Sequence, residues 1–334
     1  MKALLIGGTG LISRGIVKHL LARGAEITVF NRGLRDVALS PAVRTLVGDR
    51  NDFAAFENLF SNSRFDVVID MICFKPAQAQ SDVRAFANRC GHFIFCSTVC
   101  TYGVKIPPEV IVDETFPQEP VSAYGINKLA CEKIFLAAHD EKKFNATVLR
   151  PASTHGPGNP LIDHLEANPV AWDRMLKGLP VLCGGDGLNL WTTTHRDDCG
   201  KLFAYAAMNP RSFGQPYNAT RETIFTWRDY YRAVATVLGT TAKLLFMPSP
   251  WIAAHDRKRF QLLDEITQYH GPYTSAKARR EIPEFTCEID FPQGAAETLA
   301  DIRRRNSWRS CEADATYEAM VEKAIAAGIE PMAV

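Results

Sequence analysis

The stretch that decides the fold is the first one, residues 1–33, "MKALLIGGTGLISRGIVKHLLARGAEITVFNRG". Lys2 to Ile6 is a short apolar run closed by Gly7-Gly8, which reads as a buried strand. From Leu11 to Arg23 the apolar residues Leu11, Ile12, Ile16, Val17, Leu20 and Leu21 recur at three- and four-residue spacing, which predicts a helix. Glu26 to Phe30 resumes a strand pattern, so the stretch is a βαβ unit with an expected right-handed crossover. Gly7 and Gly10 permit backbone conformations and close approaches that a side chain blocks. They lead into a helix N-terminus, where free N–H groups and the dipole favour phosphate. The spacing is G-x-x-G-x-x-S, with Ser13 in the third position. A glycine turn alone is weak evidence, but with strands on both sides it predicts dinucleotide binding.

The rest of the chain bounds this reading. With 334 residues, 46% of them hydrophobic, it can bury one large core or two modest ones. A formal net charge of +1 argues against a general nucleic-acid binder. The nine cysteines include no C-x-x-C pair, which suggests reduced thiols and a cytoplasmic protein rather than a disulfide framework. No stretch approaches transmembrane length, so no membrane is expected. Strand-like runs at "VRTLVGD", "FDVVIDMIC", "HFIFCST" and "NATVLRP" alternate with helical segments. That alternation predicts an α/β fold built on a Rossmann-type, doubly wound parallel sheet over residues 1–155. Part of 190–230 is expected to return to it. Residues 156–334 are mixed in order and richer in Pro and Trp, and read mainly as a smaller mixed α/β substrate-binding domain.

The chemistry concentrates in "SAYGINKLACEKIFLAA", where Tyr124 and Lys128 are four residues apart on one helix face. An ammonium beside a phenol lowers its pKa from near 10 and makes proton transfer feasible near neutrality. Hydride transfer to or from a nicotinamide needs such a partner, because the reacting alcohol loses or gains a proton together with the hydride. Upstream, the strand end "FIFCSTVCTYG" places Thr98 where it can hydrogen-bond the same substrate oxygen.

With these segments the chain resembles the extended short-chain dehydrogenase/reductase family, its nucleotide-sugar epimerase and dehydratase group, nearly end to end. The Gly7/Gly10 turn, "GDRND" at 48–52, the Ser/Thr strand end, Tyr124-x-x-x-Lys128, "LRPASTHGPGN", "GGDGLNLWTTTHRDD", "PYNAT" and "TSAKARREI" carry the resemblance. It implies that Thr98 polarises the substrate oxygen, that Tyr124 is the acid/base, and that Lys128 holds the nicotinamide ribose and tunes Tyr124. Ser97 supports the strand end or touches the cofactor. Cofactor contacts are implied for Gly7, Thr9, Gly10, Leu11, Ile12, Asn31, Arg32, Asp49, Arg50, Tyr124 and Lys128. Substrate contacts are implied for Ser153, His155, Trp191 and Arg196, and no metal is expected. Relatives also imply a homodimer, paired through the face Ile126, Leu129, Ala130, Lys133, Ile134 and Ala137.

Four departures from the family pattern carry information. The second strand ends in Asn31-Arg32, with Arg35 close behind, where an acidic residue usually holds the adenosine ribose. Loss of the carboxylate and gain of guanidinium groups favours NADP over NAD, although Asn31 can also bind a ribose hydroxyl of NAD. Val99-Cys100 replaces the Asp-Glu pair of the 4,6-dehydratases, so that elimination lacks its carboxylates; Cys100 reads as a small hydrophobe rather than a reactive thiol. Trp191 stands where an arginine clamps the nucleotide diphosphate, and it is read either as a stacking platform or as core. Arg196, or the run Arg257-Lys258-Arg259, is a candidate replacement cation. Finally, His155 replaces a tyrosine and is read as a second acid/base or as a loop histidine. The expected activity is epimerisation of a sugar or nucleotide sugar by transient hydride abstraction. The alternatives are a net NADP-dependent carbohydrate reductase or dehydrogenase and, from another class, a non-catalytic RNA-binding relative.

Overall fold

The computed structural model describes residues 1–34 and 39–334; Arg35 lies outside the described residues. The strands are β1 (Lys2–Ile6), β2 (Glu26–Asn31), β3 (Val43–Val47), β4 (Phe65–Asp70), β5 (Cys90–Cys96), β6 (Asn145–Pro151), β7 (Ser153–His155), β8 (Val181–Gly184), β9 (Leu190–His195), β10 (Gln215–Ala219), β11 (Ile224–Thr226), β12 (Lys243–Met247) and β13 (Met332–Ala333). Seven of them form a wholly parallel sheet in the order β10-β6-β5-β4-β1-β2-β3. This is the expected doubly wound architecture, with its reversal of strand order between β1 and β4.

Helices α1 (Leu11–Ala22), α2 (Phe53–Phe60), α3 (Pro76–Phe86), α4 (Ala123–Asp140), α5 (Ala171–Leu176), α6 (Arg196–Ala206) and α7 (Trp227–Leu238) come next in importance. A sheet covered on both faces needs strands that are apolar throughout, and β1 shows why. Ala3 and Leu5 enter the core shared with α1 and α6, whereas Leu4 and Ile6 enter the core shared with α2, α3 and α4. The second core is aromatic: Phe30, Phe56, Phe60 and Phe86 meet edge-on or tilted at ring separations of 5.2–6.0 Å. On the opposite face α1 and α6 cross at Gly15 and Gly200, where a side chain on either would run into the other's backbone. Ser13, third in the G-x-x-G-x-x-S spacing, closes the glycine turn, its hydroxyl donating to the Gly7 carbonyl at 2.8 Å.

Strands β7, β9 and β11 form a second sheet, and β8, β12 and β13 a third. Their strands all follow β6 in the chain, and between β9 and β11 the strand β10 returns to the large sheet's edge beside β6. Among the described residues no helix is long and apolar enough to cross a membrane.

Candidate active site

At the carboxyl ends of β1 and β2 a groove of about 570 Å³ is lined by Gly7, Thr9, Gly10, Leu11, Asn31, Arg32 and Asp49, among others. Gly7 has φ +87°, and a Cβ there would stand 2.5 Å from Ile72 Cγ2, so only glycine lets the turn lie this flat. Gly10 caps α1 without a side-chain bond, and no acidic residue occupies the first turn. That leaves the first N–H groups and the positive end of the helix facing the groove, which suits a pyrophosphate. The Asn31 side-chain oxygen accepts from Gly33 N–H at 2.7 Å, so its amide nitrogen remains to donate. Asp49 Oδ1 accepts from Asn51 twice, both at 2.9 Å.

Two expected cofactor contacts need correction. Ile12 does not line the groove; its side chain packs against the core beneath α1. Only its main-chain N–H belongs to the uncapped first turn. Arg50 borders the groove, but its guanidinium is buried and bonded to Asp70, to Asp82 at 3.0 Å and to the Gln78 carbonyl at 3.0 Å. It neutralises two buried carboxylates, which would be costly to leave unpaired, and is not available to a phosphate.

Two residues beyond β5, Thr98 opens a 3-10 turn, Val99–Tyr102, accepting there from Cys100 N–H at 3.2 Å. With that lone pair engaged, the Thr98 hydroxyl proton points elsewhere. Tyr124, on the first turn of α4, lies near enough for Thr98 to oppose the rise in the phenol's pKa. The helix starts here because Ser122 caps it, accepting from Gly125 N–H at 3.1 Å. It comes close because residue 125 is glycine: a Cβ would stand 2.5 Å from the Cys100 carbonyl. Tyr124 therefore stands between Thr98 and Phe74 of the groove, whose ring centre is 6.5 Å away.

Lys128 is buried, donates to the Cys96 carbonyl at 2.7 Å and lies 4.7 Å and 4.8 Å from the ring centres of Phe74 and Phe95. It stands 5.7 Å from the Tyr124 ring centre. The expected lowering of the Tyr124 pKa by Lys128 is absent. Burial pushes the phenol above its ordinary value, Cys96 and Cys100 add to this, and only Thr98 opposes it. Burial likewise pushes the Cys100 thiol up, so it is no thiolate nucleophile.

Beyond Thr98 opens a second, smaller cavity of about 150 Å³. Ser153 and Trp191 line it, as expected for a substrate wall. Trp191 also packs on Trp227, ring centres 5.0 Å apart, so it is core and wall at once. Arg196 and His155 do not line it. Arg196 donates to the Pro157 carbonyl and sits 3.3 Å from Asp197, at the start of α6. His155 is buried against Phe291 and His195, with Nδ1 3.0 Å from Thr193 Oγ1. Burial pushes its pKa down to about 3, so it stays neutral. Arg259 is no phosphate anchor either: it bridges Glu166 at 2.9 Å and Asp314 at 2.7 Å.

Sequence reading missed most of the remaining wall, which comes from Leu262, Glu265, Ile266, Tyr269, His270 and Tyr273. It also missed the buried network behind the site. Ser97 bonds Glu132, which receives Arg150 at 2.7 Å and 3.0 Å; Arg150 reaches the Tyr102 hydroxyl at 2.8 Å, and that hydroxyl donates to Asn218 at 2.8 Å. The chain of bonds ties α4 to β5, β6 and β10. Its sequence signal was Glu132, one turn beyond Lys128, a carboxylate on the helix's inward face.

The fold and this arrangement define a nicotinamide-dependent enzyme of the extended short-chain dehydrogenase/reductase type. Residues 3–219 match the NAD dependent epimerase/dehydratase family, and the chain belongs to it. Among its relatives is a 2'-dehydrokanamycin reductase of Streptomyces kanamyceticus, 26% identical, with 85% of this chain and 80% of that protein aligned. A chloroplast stem-loop binding protein of Arabidopsis thaliana is 24% identical, over 96% of this chain and 84% of that protein. In fold, a UDP-glucose 4-epimerase of Thermotoga maritima superposes with a TM-score of 0.74 at 21% identity, covering 92% of this chain and 100% of that one.

Proposed function

We propose that this protein is an NADP-dependent oxidoreductase that transfers a hydride, with net redox, between the cofactor and a carbon–oxygen group of a carbohydrate. The observation that carries the reading is that Thr98 lines a cavity with no lysine or arginine in its wall among the described residues, while Tyr124 lies near enough for Thr98 to act on its phenol. Gly7, Gly10 and the first turn of α1 would hold the pyrophosphate, and Asn31 and Arg32 the phosphorylated ribose. Lys128 would meet the nicotinamide ribose. The bound nicotinamide supplies or accepts the hydride.

The chain's own residues do the rest. The Thr98 hydroxyl donates to the substrate oxygen and holds it against Tyr124. The phenol gives its proton to that oxygen as a carbonyl is reduced, or takes it as an alcohol is oxidised. One relative whose alignment spans most of both chains is a reductase.

Epimerisation of a nucleotide sugar, placed first by sequence alone, is the second reading and rests on the family match. It requires the oxidised sugar to turn over in place, swinging about an anchored diphosphate. The cavity offers that diphosphate no cation, and at about 150 Å³ it is smaller than the roughly 300–1,000 Å³ usual for ligand sites. Incubation with reduced cofactor and a panel of keto-sugars decides between them. Net cofactor oxidation supports the reductase; product formed with no net change in cofactor moves the assignment to an epimerase.

The residues proposed for pairing two chains, from Ile126 to Ala137 on α4, are each exposed or half-buried. That supports a homodimer through this face. Light scattering at micromolar concentration should give the mass of two chains, and the mass of one would sink the dimer.

A further inference from the structure

Cavity walls are chosen for the charge they meet, and this one carries a carboxylate. Glu265 sits on a single π-helical turn, Leu263–Thr267, closed by Gln268 N–H donating to the Leu263 carbonyl at 3.3 Å. Such widened turns recur at functional sites, because the extra residue redirects the side chains of the turn. Glu265 lines the cavity beside Thr98 and Cys100 and is half-buried. Its charge reaches far enough to be one of the groups, after burial, that raise the Cys100 thiol.

What surrounds Glu265 leaves it without a countercharge. Gln261 donates to one carboxylate oxygen at 2.7 Å. The other accepts no hydrogen bond, and no lysine, arginine or histidine forms an ion pair with Glu265 among the described residues. The cavity holds no lysine or arginine, and His270 is turned to the main chain, accepting from Leu190 N–H at 3.1 Å. Aromatic faces complete the wall: Trp191, Tyr269 and Tyr273. A half-buried carboxylate flanked by aromatic rings is matched by an ammonium, which it hydrogen-bonds while the rings attract the cation. The same carboxylate repels a diphosphate.

We propose that Glu265 is a specificity residue that selects an amine-bearing carbohydrate, one ring of which enters the cavity with its ammonium on Glu265 and its reacting oxygen on Thr98. This rests on the carbohydrate reading above and narrows it to a cationic substrate without a diphosphate.

The test is a binding titration followed by ligand-observed NMR on the full chain, with D-glucosamine, D-glucose and UDP-glucose as probes, at a pH where the amine is protonated. Glucosamine and glucose differ by one ammonium for one hydroxyl, so their ratio isolates the charge. Wild type should bind glucosamine at least about tenfold more tightly than glucose, the factor expected of one charge-assisted hydrogen bond. Glu265→Gln, which keeps shape and the capacity to pair with Gln261, should bring the ratio close to one, and raised salt should shrink it in wild type. Glu265→Lys should turn the preference toward UDP-glucose. Equal binding of glucosamine and glucose by wild type overturns the proposal while leaving the carbohydrate reading standing. UDP-glucose as the tightest wild-type ligand also overturns it and returns weight to the nucleotide-sugar epimerase. Binding of none of the three removes the carbohydrate reading and this proposal together.

Discussion

The groove at the ends of β1 and β2 and the cavity beyond Thr98 are neighbours built on opposite plans. The groove is made largely of backbone: a glycine turn, an uncapped helix start and two short loops, with most of its walls in the first 78 residues. The cavity is made of side chains, gathered from residues 98–104, 121–122, 151–153, 162, 191–192 and 262–273. A backbone site recognises what every dinucleotide shares, a pyrophosphate between two riboses. A side-chain site recognises what distinguishes one substrate from another. Tyr124 lines neither, but its ring centre lies 6.5 Å from that of Phe74 in the groove and its phenol is influenced by Thr98 of the cavity.

The largest effect should come from breaking that junction. Tyr124→Phe keeps the ring that packs and removes the proton it carries. Turnover should fall at least about a hundredfold, in line with general acid catalysis, while cofactor affinity stays nearly constant. Retention of more than about a tenth of the activity, a barrier change under about 1.4 kcal/mol, would show that the proton travels by another route.

Gly125→Ala asks how closely the two sites must be held together. The added methyl would stand 2.5 Å from the Cys100 carbonyl and 3.0 Å from Pro120 Cβ, so the start of α4 has to move away from Thr98. A displacement of this order at a reacting group can cost up to roughly a hundredfold in rate. Turnover should fall about tenfold or more, with cofactor binding within about threefold of wild type. Equal loss of both would place the damage in the whole of α4 rather than in the placement of Tyr124 relative to Thr98.

The contrast in construction also explains what the sequence disclosed. The seven-stranded sheet was legible because strands buried on both faces carry continuous apolar runs, as in "ALLI" and "VVI", and because glycine punctuates the first turn. Tyr124 and Lys128 were legible because helical spacing joins them without any tertiary information. Arg50 misled because nothing local announces Asp70 and Asp82, 20 and 32 residues away, which take up its charge. His155 and Arg196 misled for the same reason, since their partners Thr193, Phe291 and Pro157 come from other parts of the chain. Glu265 gave no signal at all: a carboxylate in "LLDEITQ" looks like any solvated helix residue until the fold sets it beside Thr98.

Arg32→Asp sharpens the reading of the groove with a smaller effect. Arg32 lines the groove and is exposed, next to Asn31, whose oxygen is already occupied by Gly33 N–H. If it binds a 2′-phosphate, replacing it by a carboxylate should shift the NADP-to-NAD preference at least about tenfold, because a charge-assisted pair is worth about 1.5–3 kcal/mol. Fluorescence titration with both reduced cofactors measures this. Equal weakening of the two, or none, would leave Asn31 as the ribose ligand of an NAD enzyme.

The last comparison is between the large sheet and the substrate half in their response to acid. His92 in the sheet, and His155 and His164 beyond it, are each held by burial at a pKa of about 3, against an ordinary value of 6.5. The folded protein keeps them neutral, whereas an unfolded chain protonates them below pH 6.5. Stability from these groups is therefore fully present above that pH and is lost progressively as pH falls from 6.5 toward 3. The slope approaches about 1.4 kcal/mol per pH unit for each histidine well below pH 6.5. His164 isolates one share: its ring stacks on Trp227 at 4.7 Å, its Nδ1 lies 3.4 Å from Cys183 Sγ, and its Nε2 has no partner. His164→Phe keeps the stacked ring and removes the proton site. Urea unfolding followed by circular dichroism between pH 7.5 and 5 should show a shallower acid limb in the variant, by about one proton's worth of slope. An unchanged slope would mean that His164 is already charged in the folded protein, or that it titrates equally in both states.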